Sequence, residues 1–331
     1  GSAMAAFDFG TGTGGMSKRG NAATITLGAL TGGTGTWLSG ATGSGNTTAT
    51  TYAIGENGSS STFAGTISNG AGTTGLTKLG AGTITLIGTN TYTGATAVNV
   101  GTLIVAGSLG ATPVTVANGA TLAGGGGITG TVTGNSGAIL SPGTVPFTGA
   151  PLTVGGLSLN GSTLYFDMSG TPTGANDRIV INGGPLAIAG TQNIQFLLLQ
   201  NTLAAGNYDL VTGASSISPN GYTFSHNLPA GTRQTFTIAA TGATVRLTVT
   251  GDPATLTWTG ATSAIWDTTT ANNWTGATPN TFGSNDAVII DDSSAVTNIA
   301  IPVPVTPRST TVNNSIRAIT IGGGINGGSL A

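Results

Sequence analysis

Residues 75–105 read GLTKLGAGTITLIGTNTYTGATAVNVGTLIV, and this stretch decides the fold. Two short apolar-alternating runs lie in it, Thr83 to Leu86 and Thr102 to Val105, each opening on a threonine with an aliphatic residue at every second position. Alternation with period two is the pattern of a half-buried strand. The turns between the runs are made of Gly, Asn and Thr, too short for a crossover helix and without a clear Asn-Gly hairpin signal. Strand, turn and strand again, with no helix, is how a sheet that coils on itself reads. The expectation is an all-β chain folded as a right-handed parallel β-helix, each turn of chain stacking on the last. Leu86 and Leu103 should then point inward, and Thr85 outward.

The same residues resemble a known family, the autotransporter-associated β-strand repeat of bacterial passenger regions. The likeness is carried by Leu76-Thr77-Lys78, Gly80, Gly82-Thr83, Thr85-Leu86, Asn90, Tyr92-Thr93-Gly94 and Gly101-Thr102-Leu103, within a repeat placed at 75–107. The resemblance implies a stalk or passenger segment of a secreted or surface-displayed bacterial protein, outside the cell or on its outer surface. It brings no catalytic chemistry with it.

Composition sets bounds on the alternatives. Of 331 residues only 5% are charged, against roughly 25% in ordinary soluble domains. Apolar residues make up 38%, enough for a thin continuous core. No apolar run approaches the roughly 18 residues of a spanning helix, so no membrane insertion is expected within the chain. Eight scattered Lys and Arg residues and a net charge of −2 supply no basic stripe for nucleic acid. Cysteine is absent, which fits an exported chain that avoids disulfide chemistry. Gly1-Ser2-Ala3-Met4 reads as a cloning scar, so the native start is expected elsewhere.

Working outward, residues 1–20 read as a tag and a solvated entry segment containing Lys18-Arg19. Residues 21–151 read as the β-helix, with breaks at Gly32-Gly33, Gly43-Ser44-Gly45 and a corner at Gly124 to Gly127. Gly119-Ala120-Thr121-Leu122 and Gly137-Ala138-Ile139-Leu140 recur 18 residues apart (140 − 122), the length of one coil. With about 20 residues per coil, residues 20 to 250 would build a rod on the order of 55 Å long. Residues 152–250 carry longer apolar runs and read as a wider β section that closes the helix. Gly251-Asp252-Pro253 is the best boundary. Residues 251–331 form a small tryptophan-containing β unit. Ile319-Thr320-Ile321-Gly322 repeats the pattern of Ile25-Thr26-Leu27-Gly28, which makes this unit the expected start of a following repeat block. The partners expected on this reading are neighbouring blocks of the same protein and, head to tail, other copies of it.

Candidate sites are few. Trp258, Trp266 and Trp274 recur every eight residues and are the one place where a glycan-binding surface is expected, since aromatic faces stack on sugars. Their other reading is bulk that covers an open coil end. Asp291-Asp292 point to opposite faces of a strand and cannot converge on one substrate. Asp177 and Arg178 read as a local ion pair, with Asp167 nearby. His226, the single histidine, reads as a solvated loop residue with no nucleophile elbow to serve. Asp252 and Asp286 are isolated, poor calcium ligands. The chain is therefore expected to be no enzyme and to need no cofactor or metal. Glycan adhesion through the tryptophans is kept as the alternative.

Overall fold

The computed structural model describes residues 2–19, 23–42, 47–143, 149–200, 202–270, 272–327 and 329–330. The predicted break at Gly43-Ser44-Gly45 lies outside them, as does Gly20 at the end of the entry segment. Among the described residues there is no helix. One sheet of 22 strands holds most of the chain, with smaller sheets of three, five and two strands.

The large sheet is a parallel β-helix. Its strands fall into ladders that the chain visits in turn on every coil. Strands Thr83–Leu86 and Thr102–Val105 have the bounds read from the sequence and are paired in parallel, Leu103 against Ile84 and Val105 against Leu86. From there one inward column runs Ile84, Leu103, Leu122, Leu140, Leu164, Ile194, every member buried. The pairing of Leu122 with Leu140 makes the two Gly-Ala motifs consecutive rungs. Thr83, Thr102 and Thr121 stack beside this column on the outer face, half-buried. Leu86 and Leu103 point inward as expected, because a strand sends successive side chains to opposite faces and only one face meets the core.

A second ladder carries Ile25, Tyr52, Leu76, Thr96, Val114, Val132, Leu157, Leu186 and Ile217. A third runs through Leu109, Ile128, Val154 and Ile181. The chain passes between ladders at glycine corners. Ser61–Phe63 and Thr66–Ser68, close in sequence, belong to different sheets, and Gly65 turns between them. A Cβ on Gly65 would strike the carbonyl of Thr36 in the coil below.

The coils shorten into the repeat, from 27 residues between Ile25 and Tyr52 (52 − 25), and lengthen after it. Thr96 and Val114 are 18 residues apart (114 − 96), whereas Leu186 and Ile217 are 31 apart (217 − 186). The nine stacked positions of the second ladder thus span roughly 40 Å at about 4.8 Å per rung, shorter than a uniform 20-residue coil predicts. The longer coils hold the longer strands, Leu152–Asn160, Pro185–Leu198 and Ser216–His226. Parallel stacking then stops. Strands Thr235–Thr241 and Thr244–Thr250 form an antiparallel hairpin, and the latter pairs antiparallel with Gly206–Thr212. This reversal closes the core, whose last members are Val245, Leu247 and Val249.

At the other end, the described residues 2–19 differ from a solvated lead-in. Ser2–Asp8 pairs in parallel with Thr24–Thr31, and Gly15–Lys18 with Trp37–Ala41. Lys18 is buried, not solvated, because its strand continues the coil and alternation turns it inward.

A separate core begins at Leu256 and ends at Val305. Its strands Thr255–Trp258, Ala287–Asp291 and Ser309–Asn313 are again parallel and in register, as are Asn298–Val305 and Thr320–Ile325. A new coil therefore starts at Thr255, earlier than the Ile319 pattern predicts. Gly328, adjoining that pattern, lies outside the described residues.

Candidate functional site

The repeat segment places polar residues inside the coil. Lys78 sits in the second ladder between Ile54 and Val98, fully buried. Its ammonium donates to the carbonyls of Leu79 at 2.5 Å, Gly80 at 2.7 Å and Val100 at 3.2 Å. All three donor protons are thus used, and burial pushes the pKa of the group down. The turn it grips is made by glycine. Gly80 and Gly101 have φ of +65° and +68°, and a Cβ on Gly101 would collide with the Gly80 carbonyl one coil below.

Asn90 is the second such residue. Its Oδ1 accepts from the Ile67 amide at 2.9 Å, and its Nδ2 donates to the Gly88 and Ser108 carbonyls, both at 3.0 Å. One side chain thereby ties the coil before it to the coil after it. Tyr92 is buried with its hydroxyl 2.8 Å from Thr96 Oγ1, which lies 2.9 Å from Thr112 Oγ1. Thr112 in turn donates to the Gly94 carbonyl at 2.6 Å. Burial raises the Tyr92 pKa beyond reach of physiological titration. These residues hold backbone to backbone, and no reactive group is left free among them.

The sequence reading named Lys78, Asn90 and Tyr92 only as part of a pattern and missed their burial. The signal was present for Lys78. Leu76 points inward, and period two sends Lys78 the same way.

The three tryptophans are brought together, but inside. Trp258 and Trp274 face each other across an antiparallel pair with ring centroids 4.8 Å apart. Trp266 lies 5.3 Å from Trp274 and 5.4 Å from Phe282, all edge to face. Each tryptophan is at most 1% exposed, so no ring face is open to a sugar. Asn273, also buried, organises the turn around them: its Oδ1 accepts from the Thr262 and Ser263 amides and its Nδ2 donates to the Ile265 carbonyl.

The remaining candidates fall apart in space. Asp177 makes no ion pair with the exposed Arg178. The ion pairs of the described residues are Arg233–Asp286 and Arg246–Asp209. Asp177 turns instead to Asp167, whose amide donates to its Oδ2 at 3.1 Å. His226 ends the strand Ser216–His226, stacked edge-on against Phe236, so it is a strand residue and not a loop one. Asp291 and Asp292 bind different partners, Ser293 and Ser315. Asp286 is buried and spoken for, accepting from Arg233 Nε and from the amides of Ala254 and Gly283. Among the described residues no three His, Cys, Asp or Glu side chains gather as a metal site would require.

Residues 76–105 match the family model described as passenger-associated-transport-repeat. The chain carries an autotransporter passenger-associated repeat. No curated protein matches it. The repeat occupies the coils in which Lys78, Asn90 and Tyr92 are buried. The repeat and the parallel β-helix around it fit an autotransporter passenger module.

Proposed function

We propose that the chain is a non-enzymatic structural segment, a stalk within the passenger of a bacterial surface or secreted protein. One observation carries this reading. In the repeat coils the interior polar groups of Lys78, Asn90 and Thr112 are all bound to backbone, so those coils are built to hold their shape. Continuous ladders, few charges and outward hydroxyls then make a length of chain that projects its neighbours and offers proteases little to grip. Its partners are the preceding and following blocks of the same protein. The coil that restarts at Thr255 supports such tandem growth.

The test is replacement at constant length. Exchanging residues 76–113 for two coils of an unrelated parallel β-helix, in the parent protein, should leave surface display and the reach of distal segments unchanged. Loss of phenotype at equal length would overturn the reading. The adhesin alternative through Trp258, Trp266 and Trp274 lacks an open ring face in its support. Glycan binding that disappears on Trp266→Ala in a protein that remains folded would restore it.

A further inference from the structure

The segment between strands Thr163–Met168 and Ile179–Ile181 is a loop closed by its own side chains. Asn176 Oδ1 accepts from the Ser169 amide at 2.8 Å, and its Nδ2 donates to the Thr171 carbonyl at 2.8 Å. The loop is fastened to the coil at three points: the Gly170 carbonyl accepts from the Tyr208 hydroxyl at 2.9 Å and the Ala204 amide at 2.8 Å, the Arg178 carbonyl accepts from the Leu152 amide at 3.1 Å, and between them the 171–177 stretch is held at Asp177. The Asp177 amide donates to the Asp167 carbonyl at 2.9 Å, and the Asp167 amide donates to Asp177 Oδ2 at 3.1 Å. The second carboxylate oxygen of Asp177 is different. Oδ1 is buried, has no hydrogen-bond partner, and lies where any Cβ on Gly143 would collide with it.

The surroundings offer this oxygen no counter-charge. The strand Thr163–Met168 contributes Asp167, a like charge. The strand Ile139–Pro142 has no ionisable side chain, and neither does the sequence from Gly143 to Leu152. Arg178, next along the loop, is exposed and unpaired with Asp177. Asp167 also borders an open groove of about 330 Å³ with Ser141, Pro142 and Gly143.

We propose that Asp177 is a proton-operated latch: protonated, it keeps the 171–177 stretch of the loop seated on the coil, and ionised, it releases that stretch while Gly170 and Arg178 stay anchored. A neutral carboxyl tolerates burial with one oxygen unpaired. A carboxylate beside another carboxylate does not, and must reach water. Gly143 blocks one side with backbone, so the loop is the part that moves. Burial first, and the Asp167 charge in addition, push the Asp177 pKa up to about 7, which places release in the neutral range.

Arg178 provides the readout, because release frees the chain on the N-terminal side of the Arg178–Ile179 bond, which in the seated state lies at the edge of the buried strand Ile179–Ile181. Limited trypsin digestion of the whole chain is followed at about pH 6 and about pH 8.5, and cutting after Arg178 is normalised to cutting after the exposed Arg317. The normalised rate should rise several-fold with pH in the wild type. It should stay at the low value at both pH values in Asp177→Asn, a neutral isostere. In Asp167→Asn the rise should move to lower pH, since the like charge is gone. A flat wild-type ratio, or a rise retained in Asp177→Asn, would overturn the latch. So would suppression of the rise by millimolar calcium in the wild type alone, which would make the pair a cation site instead.

Discussion

Arg233 lays its Nε 2.9 Å from Oδ2 of Asp286, and this pair joins the segment that leads into the closing hairpin of the long coil to the tryptophan unit. The same guanidinium donates to the carbonyls of Pro279 and Thr281, while Asp286 also takes the amides of Ala254 and Gly283. The carboxylate is wholly buried and the arginine nearly so. Removing Asp286 leaves the largely buried guanidinium without its counter-charge, and strips the Ala254 and Gly283 amides of their acceptor. Asp286→Ala should destabilise the tryptophan unit by about 3–5 kcal/mol, read as an earlier urea transition in tryptophan fluorescence. An unchanged midpoint would mean that the two units do not depend on the pair.

Lys78→Met keeps the stem and removes the ammonium. Three carbonyls then lose their donor inside the coil, and the loss should be about 1–3 kcal/mol. Lys78→Arg should be no remedy, since a planar fork does not match three converging carbonyls. Chemical denaturation followed by far-UV circular dichroism distinguishes these from a neutral surface change.

Leu103→Asp and Thr85→Asp test the two faces of one sheet. Leu103 lies in the buried column, so an unpaired carboxylate there should cost several kcal/mol or prevent folding. Thr85 is half-exposed on the outer face and its substitution should cost about 0.5 kcal/mol or less. Equal tolerance of both would reverse the inward assignment.

The pH dependence of stability follows from Asp177. Unfolded, its carboxyl releases the proton near 3.8; folded, it holds it to about pH 7. Between those values the folded state binds the extra proton, so this group makes stability fall as pH rises from about 4 to about 7 and contributes no slope above. Asp177→Asn should remove that fall and leave the variant more stable than the wild type at pH 8, measured by thermal unfolding across the pH range.

How far the sequence discloses all this varies by element. Strands Thr83–Leu86, Thr102–Val105 and Thr244–Thr250 are readable to the residue, because each opens on a threonine and carries an aliphatic residue at every second position. Ser216–His226 is not, since most of its side chains are exposed and it includes Pro219 and Gly221. It is held by ten backbone pairings alongside Pro185–Leu198, and backbone leaves no mark on side-chain pattern. Lengthening coils are equally hidden, because partner residues 31 apart share no motif. For the candidate site, eightfold spacing brought the tryptophans to notice but carries no information on whether they face in or out. The bond between Arg233 and Asp286 spans 53 residues, and nothing local in either neighbourhood announces it.

The reversal of strand direction at Thr235–Thr250 has a mechanical meaning. Pulled from one end, a stack of parallel coils can peel one coil after another, each loosening the next. An antiparallel hairpin that pairs back onto Gly206–Thr212 must lose its bonds together, in shear, and its neighbour beyond Gly251 has a separate core. Damage started by tension or by a protease in one block is thus halted at its seam, and a tandem protein made this way fails block by block.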